Sequence, residues 1–573
     1  MDNQGVAQVF SNIGDLLEIK DANPFKIRAY RNAADIVGHM AERITDLTDA
    51  QLLDLPGIGK DLAAKIRELV DTGSLAFYDA LRKEFPPSIL DMLRLQGVGP
   101  KTVALLYTEL GIETLEALET AAAEGRLRRL AGMGPRKEQL LLRALADYQR
   151  RIGRHLIGHA AALATRLADH LRAEAAEATI ISVGSLRRGC ETCGDIDLLA
   201  LGTDAQLMSR FTSFPDVERI LGRGPTKSSV LLRGNIQADL RLVPVESAGA
   251  AMQYFTGSKA HNIAVRDLAL QRGLKLNEYG LFRVADGQRV AGATETEIYA
   301  ALGLAYVPPE LRENRGEIRA ADDGTLPELI ELTDLKGDLH SHTTATDGRA
   351  DVETMGFAAR DAGLEYLAIT DHSQALAMAN GLDEHRALDH ARHIREVSEQ
   401  LEGITLLAGI ECDILADGTL DLAEDCLAEL DLVIASLHSA FDQDEDRMTD
   451  RILRAIDSAV VDVIGHPTGR LLLRRDPYRL NIERVLDAAA RTGVAMEINS
   501  QVHRLDLSDI HARRARERGV KLVISTDAHT PADFDLLRWG VTMARRAWAR
   551  PDDVLNTRPL QMFLASLRRH RNR

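Results

Sequence analysis

Asp195 and Asp197 stand two apart at the head of an apolar run, Leu198, Leu199 and Leu201. On a strand, side chains at i and i+2 leave the same face, so these two carboxylates can share a divalent cation. Ahead of them, Ile180, Ile181 and Val183 read as a strand that ends in a Gly184-Ser185 turn followed by Arg187-Arg188. Amide, hydroxyl and guanidinium donors in that order suit a phosphate tail. A third carboxylate, Asp239, lies inside Ile236-Gln237-Ala238-Asp239-Leu240-Arg241-Leu242-Val243, another alternating strand. Three carboxylates can hold two metals against the attacking and leaving oxygens of a phosphoryl centre. Gly-Ser with Asp-x-Asp alone reads as well as a surface hairpin. Asp239 on a later strand weighs against that reading, and the chemistry implied is nucleotidyl transfer.

A second set of chemical groups lies toward the end of the chain. Of 17 histidines, 12 follow Lys336. They cluster at the ends of short apolar stretches: Asp338-Leu339-His340-Ser341-His342, Ile369-Thr370-Asp371-His372, Ala435-Ser436-Leu437-His438, Ile464-Gly465-His466-Pro467 and Thr526-Asp527-Ala528-His529. Glu411 ends a similar stretch, Leu406 to Ile410. A lone histidine is more often a surface or satisfied core residue than a ligand. This many at strand ends, together with carboxylates, suit Zn²⁺, Mn²⁺ or Fe²⁺. Helical patterns such as Asp351 to Ala362 and Asp446 to Val460 alternate with the strands, which predicts a β/α barrel with its chemistry at the strand carboxyl ends.

The elements that must position these groups fit a chain of 573 residues, long enough for several domains. The composition, 45% hydrophobic and 27% charged, is ordinary for soluble globular protein. No apolar run approaches ~18 residues, and Met1-Asp2-Asn3-Gln4 lacks the features of a signal peptide, so no membrane partner is expected. Four scattered cysteines make no disulfide framework, which points to a reducing cytoplasm. Cys190-x-x-Cys193 has no second pair and lies in the phosphate loop, so it reads as incidental. The net charge of −16 argues only weakly against nucleic acid. From Lys336 onward there are 30 Lys+Arg against 40 Asp+Glu, so both parts of the chain are acidic and DNA contact must rely on local clusters and backbone amides.

Residues 5 to 150 read as nearly all helix, broken by three similar turns. Gly57 and Gly59, Gly97 and Gly99, and Gly132 and Gly134 each form an apolar-x-Gly-x-Gly sequence ahead of a helix. Glycine lets backbone approach a ligand closely, and a helix start offers free amides to an anion. One such turn could be a plain connection. Three resemble helix-hairpin-helix elements, which grip DNA phosphates without reading sequence.

The segment from Gly184 to Asp197, with Asp239, closely resembles the palm signature of family X DNA polymerases, the group that includes polymerase beta. The resemblance implies a dNTP pocket of Gly184, Ser185, Arg188 and Gly194. It continues through Tyr254-Phe255-Thr256-Gly257-Ser258-Lys259-Ala260-His261-Asn262-Ile263-Ala264-Val265-Arg266 to about residue 315. There it implies that Tyr254, Phe255 and Gly257 lie under the incoming sugar, that Asn262 faces the minor-groove edge of the new base, and that Arg266 meets the template strand. Lys259 departs from polymerase beta, which has an acidic residue there. Near the amino terminus, Lys26, Tyr30 and Arg31 resemble a 5′-phosphate pocket, and Lys65 falls where the family keeps a Schiff-base lysine. Lys65 reads equally as a charged residue on a helix face. Asp61, one turn before it, and Asn32 in place of a basic residue favour 5′-phosphate binding with weak or absent lyase activity.

The histidine motifs resemble the polymerase-and-histidinol-phosphatase (PHP) domain. Carried over, His340, His342, Glu411 and Asp527 hold one metal; Glu411, His438 and His466 a second; Asp347, His372 and His529 a third. The other histidines, His385, His390, His393, His503 and His511 among them, match no ligand position. The resemblances together imply a multidomain α+β and α/β chain. Its expected parts are a small helical domain (1–82), a second helix-hairpin-helix subdomain (83–150), a nucleotidyltransferase palm (151–246), a nucleotide-selecting subdomain (247–315), a linker (316–335) and a distorted (β/α)₇ PHP barrel (336–573). They match bacterial family X polymerases with a carboxyl-terminal PHP domain. The implied activity is filling short gaps from dNTPs with Mg²⁺ or Mn²⁺ at the palm, and trimming 3′ ends with up to three Mn²⁺ or Zn²⁺ ions in the barrel. A monomer acting on gapped or primer-template DNA is expected. The rivals are a barrel that acts mainly as a phosphoesterase or abasic-site endonuclease, and a catalytically dead scaffold, which would show eroded ligands.

Overall fold

The computed structural model describes residues 3–39, 44–55, 57–86, 88–93, 95, 98–130, 132–151, 153–173, 178–204 and 206–567. It divides into two compact units, Met1–Ile152 and Gly153–Arg573.

The first unit is helical, from Asn3–Ile19 and Pro24–His39 to Pro135–Arg151. Gly59 and Gly99 are the N-cap residues of the helices Lys60–Thr72 and Pro100–Leu110, and Pro100 takes the first helical position, where its missing N–H costs nothing. Gly57 and Gly132 turn with φ of +80° and +75°, a conformation that side chains resist. A Cβ on Gly59, Gly99 or Gly134 would meet nothing within 4 Å, so the backbone ahead of each helix stands open. Gly97 lies outside the described residues.

The second unit opens with a five-stranded sheet. Its order is Thr179–Ser182, Asp195–Leu201, Ile236–Val243, Lys227–Leu232, Val217–Arg223. The two central strands run parallel, with Asp197 opposite Asp239 and Asp195 opposite Gln237. The register therefore puts the three carboxylates on one face. Helices Ala248–Thr256 and Lys259–Gln271 and a three-stranded antiparallel sheet (Leu274–Asn277, Gly280–Arg283, Arg289–Ala291) follow.

Seven parallel strands in sequence order form the last sheet, from Gly337–Asp338 to Leu522–Ser525. A parallel bridge between Ser341 and Ala528 joins its first and last edges, so the sheet is nearly a closed barrel. Leu432–Ser436 and Ala495–Asn499 are buried at every residue, as strands covered on both faces must be. The expected helices are Val352–Asp361 and Glu445–Asp457. Asp351 caps the first by accepting from the Thr354 amide, a contact worth about 1 kcal/mol.

The segment 316–335, read as a linker, is not a loose tether. It carries the helix Glu317–Asp322, with Glu317 fully buried against His261, and Ile330 donates its amide to the Ala549 carbonyl. Its polar composition hid this because its acidic residue finds a buried partner.

Candidate active sites

The Thr179–Ser182 strand leads into a one-turn helix, Gly184–Arg187, rather than a bare turn. Gly184 has φ +66°, and a Cβ on it would sit 2.5 Å from Asp197 Oδ2, so only glycine lets the phosphate loop approach the carboxylates. Burial raises the Asp197 carboxyl to about 6, with the charges of Asp195 and Asp239 adding to it. Asp195 is raised for the same reasons, burial first and then Asp239. Burial also acts on Asp239, but hydrogen bonds from Lys227, Ser229 and Gln237 outweigh it and hold that carboxyl low. Lys227 Nζ lies 2.8 Å from Asp239 Oδ2 and Gln237 Nε2 is 3.0 Å from Oδ1. A site with two raised carboxyls and one ionised is short of positive charge.

The two arginines of the phosphate loop part company. Arg187 turns to Glu295 with contacts of 2.8 and 2.6 Å and to Thr256 Oγ1 at 2.8 Å, so it ties the palm to the next subdomain. Arg188 contacts Glu313 at 3.0 Å and the Thr256 carbonyl at 2.7 Å. Ser185 lies within the one-turn helix and its carbonyl accepts from the Cys190 amide at 3.0 Å, and Gly194 precedes the strand Asp195–Leu201 with the Gly153 carbonyl 3.9 Å from where its Cβ would be. Tyr254 and Phe255 meet edge to face at 5.1 Å, and the Arg241 guanidinium lies 4.5 Å from the Phe255 ring centroid. The Asn262 amide donates to the carbonyls of Tyr254 (2.6 Å) and Gly257 (3.1 Å), closing the turn where Gly257 has no room for a Cβ. Arg266 Nε donates to the Asn262 carbonyl at 3.2 Å.

The barrel gathers all nine expected ligands at the carboxyl ends of its strands. Three sets have ligand atoms within 4.8 Å of one another: His342, Asp347, His372 and His529; His340, His342 and Asp527; His372, Glu411 and His438. These are the only such sets among the described residues, so the palm carboxylates are less tightly drawn together. His466 Nε2 is 2.9 Å from Glu411 Oε1. The grouping differs in detail from the expected one, because His342 and His372 each serve two sets. His340 Nε2 and His342 Nδ1 are buried without a hydrogen-bond partner, and His372 Nδ1 and Glu411 Oε2 are buried facing only each other at 2.8 Å. Such atoms are costly unless a cation takes them, so the residues fit a metal cluster. Burial lowers His342 to about 4, with His372 and His529 adding to it. For Glu411, burial is outweighed by His438, His340 and His372, and its carboxyl lies well below the usual range. His466 and Asp527 hold φ of +26° and +53°, backbone strain placed at the site.

A supporting layer escaped the sequence reading. Glu497 Oε1 takes His340 Nδ1 at 2.7 Å, Asp413 takes His438 Nδ1 at 2.7 Å, and the Asp527 carbonyl takes His529 Nδ1 at 2.9 Å. Each fixes an imidazole so that Nε2 faces the cluster. Asp371, fully buried, accepts from the Thr343 amide and hydroxyl and from His390, which steadies the loop that carries Asp347. Asp413 was discoverable, since it shares a strand face with Glu411. Glu497 lies in the middle of the strand Ala495–Asn499, and no spacing marks it.

In the helical unit, Lys26 and Lys65 stand over the Phe77 ring at 4.6 and 5.4 Å. Lys65 pairs with Asp61. Tyr30 is 1% exposed, stacks on Phe77 at 5.9 Å and has no partner for its hydroxyl. Arg31 is held by Asp15 (2.9 Å) and Glu18 (2.5 Å) rather than left for a phosphate. These carboxylates lie a helix away, which periodicity could not reveal.

Family models match four stretches: a helix-hairpin-helix domain (residues 1–75), a SAM-like helix-hairpin-helix tandem (89–147), the DNA polymerase beta thumb (251–313) and the PHP domain (338–501). The chain is 38% identical over 573 residues, the whole of both chains, to the Bacillus subtilis (strain 168) protein named DNA polymerase/3′-5′ exonuclease PolX. A protein of Thermoanaerobacter sp. (strain X514) named a probable phosphatase is 34% identical over 233 residues, 38% of this chain and 89% of its own. Another probable phosphatase, of Shewanella sp. (strain MR-4), is 29% identical over 240 residues, 40% of this chain and 90% of its own.

Proposed function

The chain belongs to the bacterial family X DNA polymerases that carry a PHP domain, and on that premise we propose how its two sites divide the work. It is a DNA polymerase with a 3′→5′ exonuclease, and its substrate is DNA. Short repair gaps are its targets, filled from dNTPs at the palm and trimmed at the barrel. The observation that carries this division is that the palm carboxylates and the nine barrel ligands are disjoint sets on two separate sheets.

At the palm, Asp195, Asp197 and Asp239 would hold Mg²⁺ or Mn²⁺, which would neutralise the triphosphate and the charge that develops during transfer. Asp239, held ionised by Lys227, Ser229 and Gln237, would accept the proton of the primer 3′-hydroxyl. Gly184, Ser185, Arg188 and Gly194 seat the phosphates. Tyr254, Phe255 and Gly257 crowd a ribose 2′-hydroxyl, Asn262 meets the base edge after releasing its turn carbonyls, and Arg266 meets the template. The turns at Gly57, Gly59, Gly99, Gly132 and Gly134, and the like sequence at Gly97, which lies outside the described residues, hold DNA phosphates without regard to sequence.

In the barrel, His340, His342, Asp347, His372, Glu411, His438, His466, Asp527 and His529 hold up to three Mn²⁺ or Zn²⁺ ions, which would polarise the phosphodiester and acidify water. Glu497 and Asp413 keep the imidazoles aimed, which favours a preorganised cluster over a scaffold. All four cysteines are free, in keeping with a reducing cytoplasm, where the protein works as a monomer. The barrel-only match to probable phosphatases supports a second reading, in which the barrel acts chiefly as a phosphoesterase.

The test is a gapped duplex with a labelled primer, in Mg²⁺ or Mn²⁺, with and without dNTPs. Asp195→Ala, Asp197→Ala and Asp239→Ala should abolish extension and leave shortening intact. Normal extension by any of the three would refute the palm assignment.

A further inference from the structure

Arg188 does not wait free for a nucleotide. Its Nε lies 3.0 Å from Glu313 Oε1, and its terminal nitrogen donates to the Thr256 carbonyl at 2.7 Å. The Arg188 and Glu313 side chains are only 14% and 15% exposed, so water screens the pair little. The same Glu313 oxygen is shared with Arg546, 3.0 Å away on the barrel helix Leu537–Arg546. Arg546 also donates to the Arg188 carbonyl at 2.8 Å and reaches Asp509 at 2.9 Å, and Asp509 takes Arg315 at 2.8 Å. Contact here is close: a Cβ on Gly189, next to Arg188, would fall 2.1 Å from Thr542 Cγ2 of that helix. The phosphate loop of the polymerase is thus fastened to the nuclease barrel through one shared carboxylate.

We propose that Glu313 competes with the dNTP phosphates for Arg188, and that Arg546 of the barrel sets the strength of that competition. This rests on the reading that Arg188 binds the triphosphate. Both groups are anions, and with Nε on Glu313 and Nη1 on the Thr256 carbonyl neither two-nitrogen edge of the guanidinium is free to close bidentately on a phosphate unless one contact is given up. A nucleotide that takes Arg188 leaves Glu313 to Arg546 alone. The shared arrangement makes that exchange cheap, because Glu313 keeps one buried cationic partner instead of being stranded. Without Arg546, Glu313 keeps Arg188 as its one cationic partner beside the weak Cys190 thiol donor and holds it more firmly. Occupancy of the nucleotide site is in this way linked to the contact between palm and barrel, and linkage runs in both directions.

The two halves of the network therefore give opposite signs. With the full chain on gapped DNA, Glu313→Gln should lower the KM for dNTP about fivefold, and Arg546→Met should raise it by about as much, a modest coupling. Exonuclease rate on the same primer serves as the measure of fold and should hold in both variants. A purely structural role would move both KM values upward together, and that result overturns the proposal. Arg188→Gln separates the premise from the inference. If it leaves the KM unchanged, Arg188 does not bind the triphosphate and the palm reading fails at this residue. If it raises the KM while Glu313→Gln does not lower it, the palm reading stands and the competition is refuted. Should Arg546→Met not fold, Glu313→Gln decides alone.

Discussion

Asp197 is the residue at which the palm's need for cations should appear as a stability cost. In the metal-free protein its carboxyl moves from the usual 3.8 to about 6, through burial and then through Asp195 and Asp239. A carboxyl raised in the folded state binds its proton more tightly there than when unfolded. Its charged form therefore destabilises the fold fully above pH 6 and not at all below about 3.8. The difference amounts to about 3 kcal/mol, at 1.36 kcal/mol per pH unit. Asp197→Asn removes the charge at almost constant shape, so it should stabilise the chelated protein at pH 7.5 by an amount of that order. For a cooperative unit spanning Gly153–Arg573 the unfolding entropy is about 0.9 kcal/mol/K, so the midpoint should rise by roughly 3 °C. The assay is thermal unfolding in EDTA at pH 7.5, 6 and 4.5, wild type against variant. The gap should narrow steadily with acidification, and excess Mg²⁺ should narrow it at pH 7.5 by stabilising only the wild type. A variant that melts at or below the wild type at pH 7.5 in EDTA, with no trend toward acid, would refute this account of the site.

Glu411→Gln should remove primer shortening by at least about 100-fold while leaving extension intact, because Glu411 lies against His466, His438 and His372 at once; gel analysis of a labelled primer checks it. Glu497→Gln should weaken rather than abolish shortening, with about 10-fold more Mn²⁺ needed for half-maximal rate, since it turns His340 without touching the cluster. For Lys65, borohydride trapping on a 5′-deoxyribose-phosphate gap should give little or no adduct, given its ion pair with Asp61. A strong adduct that vanishes in Lys65→Ala would reverse that expectation. Gly57→Ala strains a φ of +80° and should weaken DNA binding equally on unrelated sequences, measured by fluorescence anisotropy.

Much of this protein is legible in its sequence because short-range rules suffice. Period-two spacing put Asp195 and Asp197 on one face, strand ends marked His340, His342, His372, His438, His466, Asp527 and His529, and paired glycines marked the helical turns. Those features depend on backbone geometry that repeats within a few residues. Partners contributed by distant segments were not legible. The parallel pairing that sets Asp197 opposite Asp239, the Lys227 that keeps Asp239 ionised, the Glu497 behind His340 and the carboxylates that occupy Arg31 each bring together residues of different elements. Arg187 and Arg188 make the point most sharply. As adjacent guanidinium groups they are equivalent in sequence, yet one is given to Glu295 and the other to a carboxylate shared with the barrel. Charge type and spacing determine which contacts are possible; only packing decides which partner removes each buried charge from water.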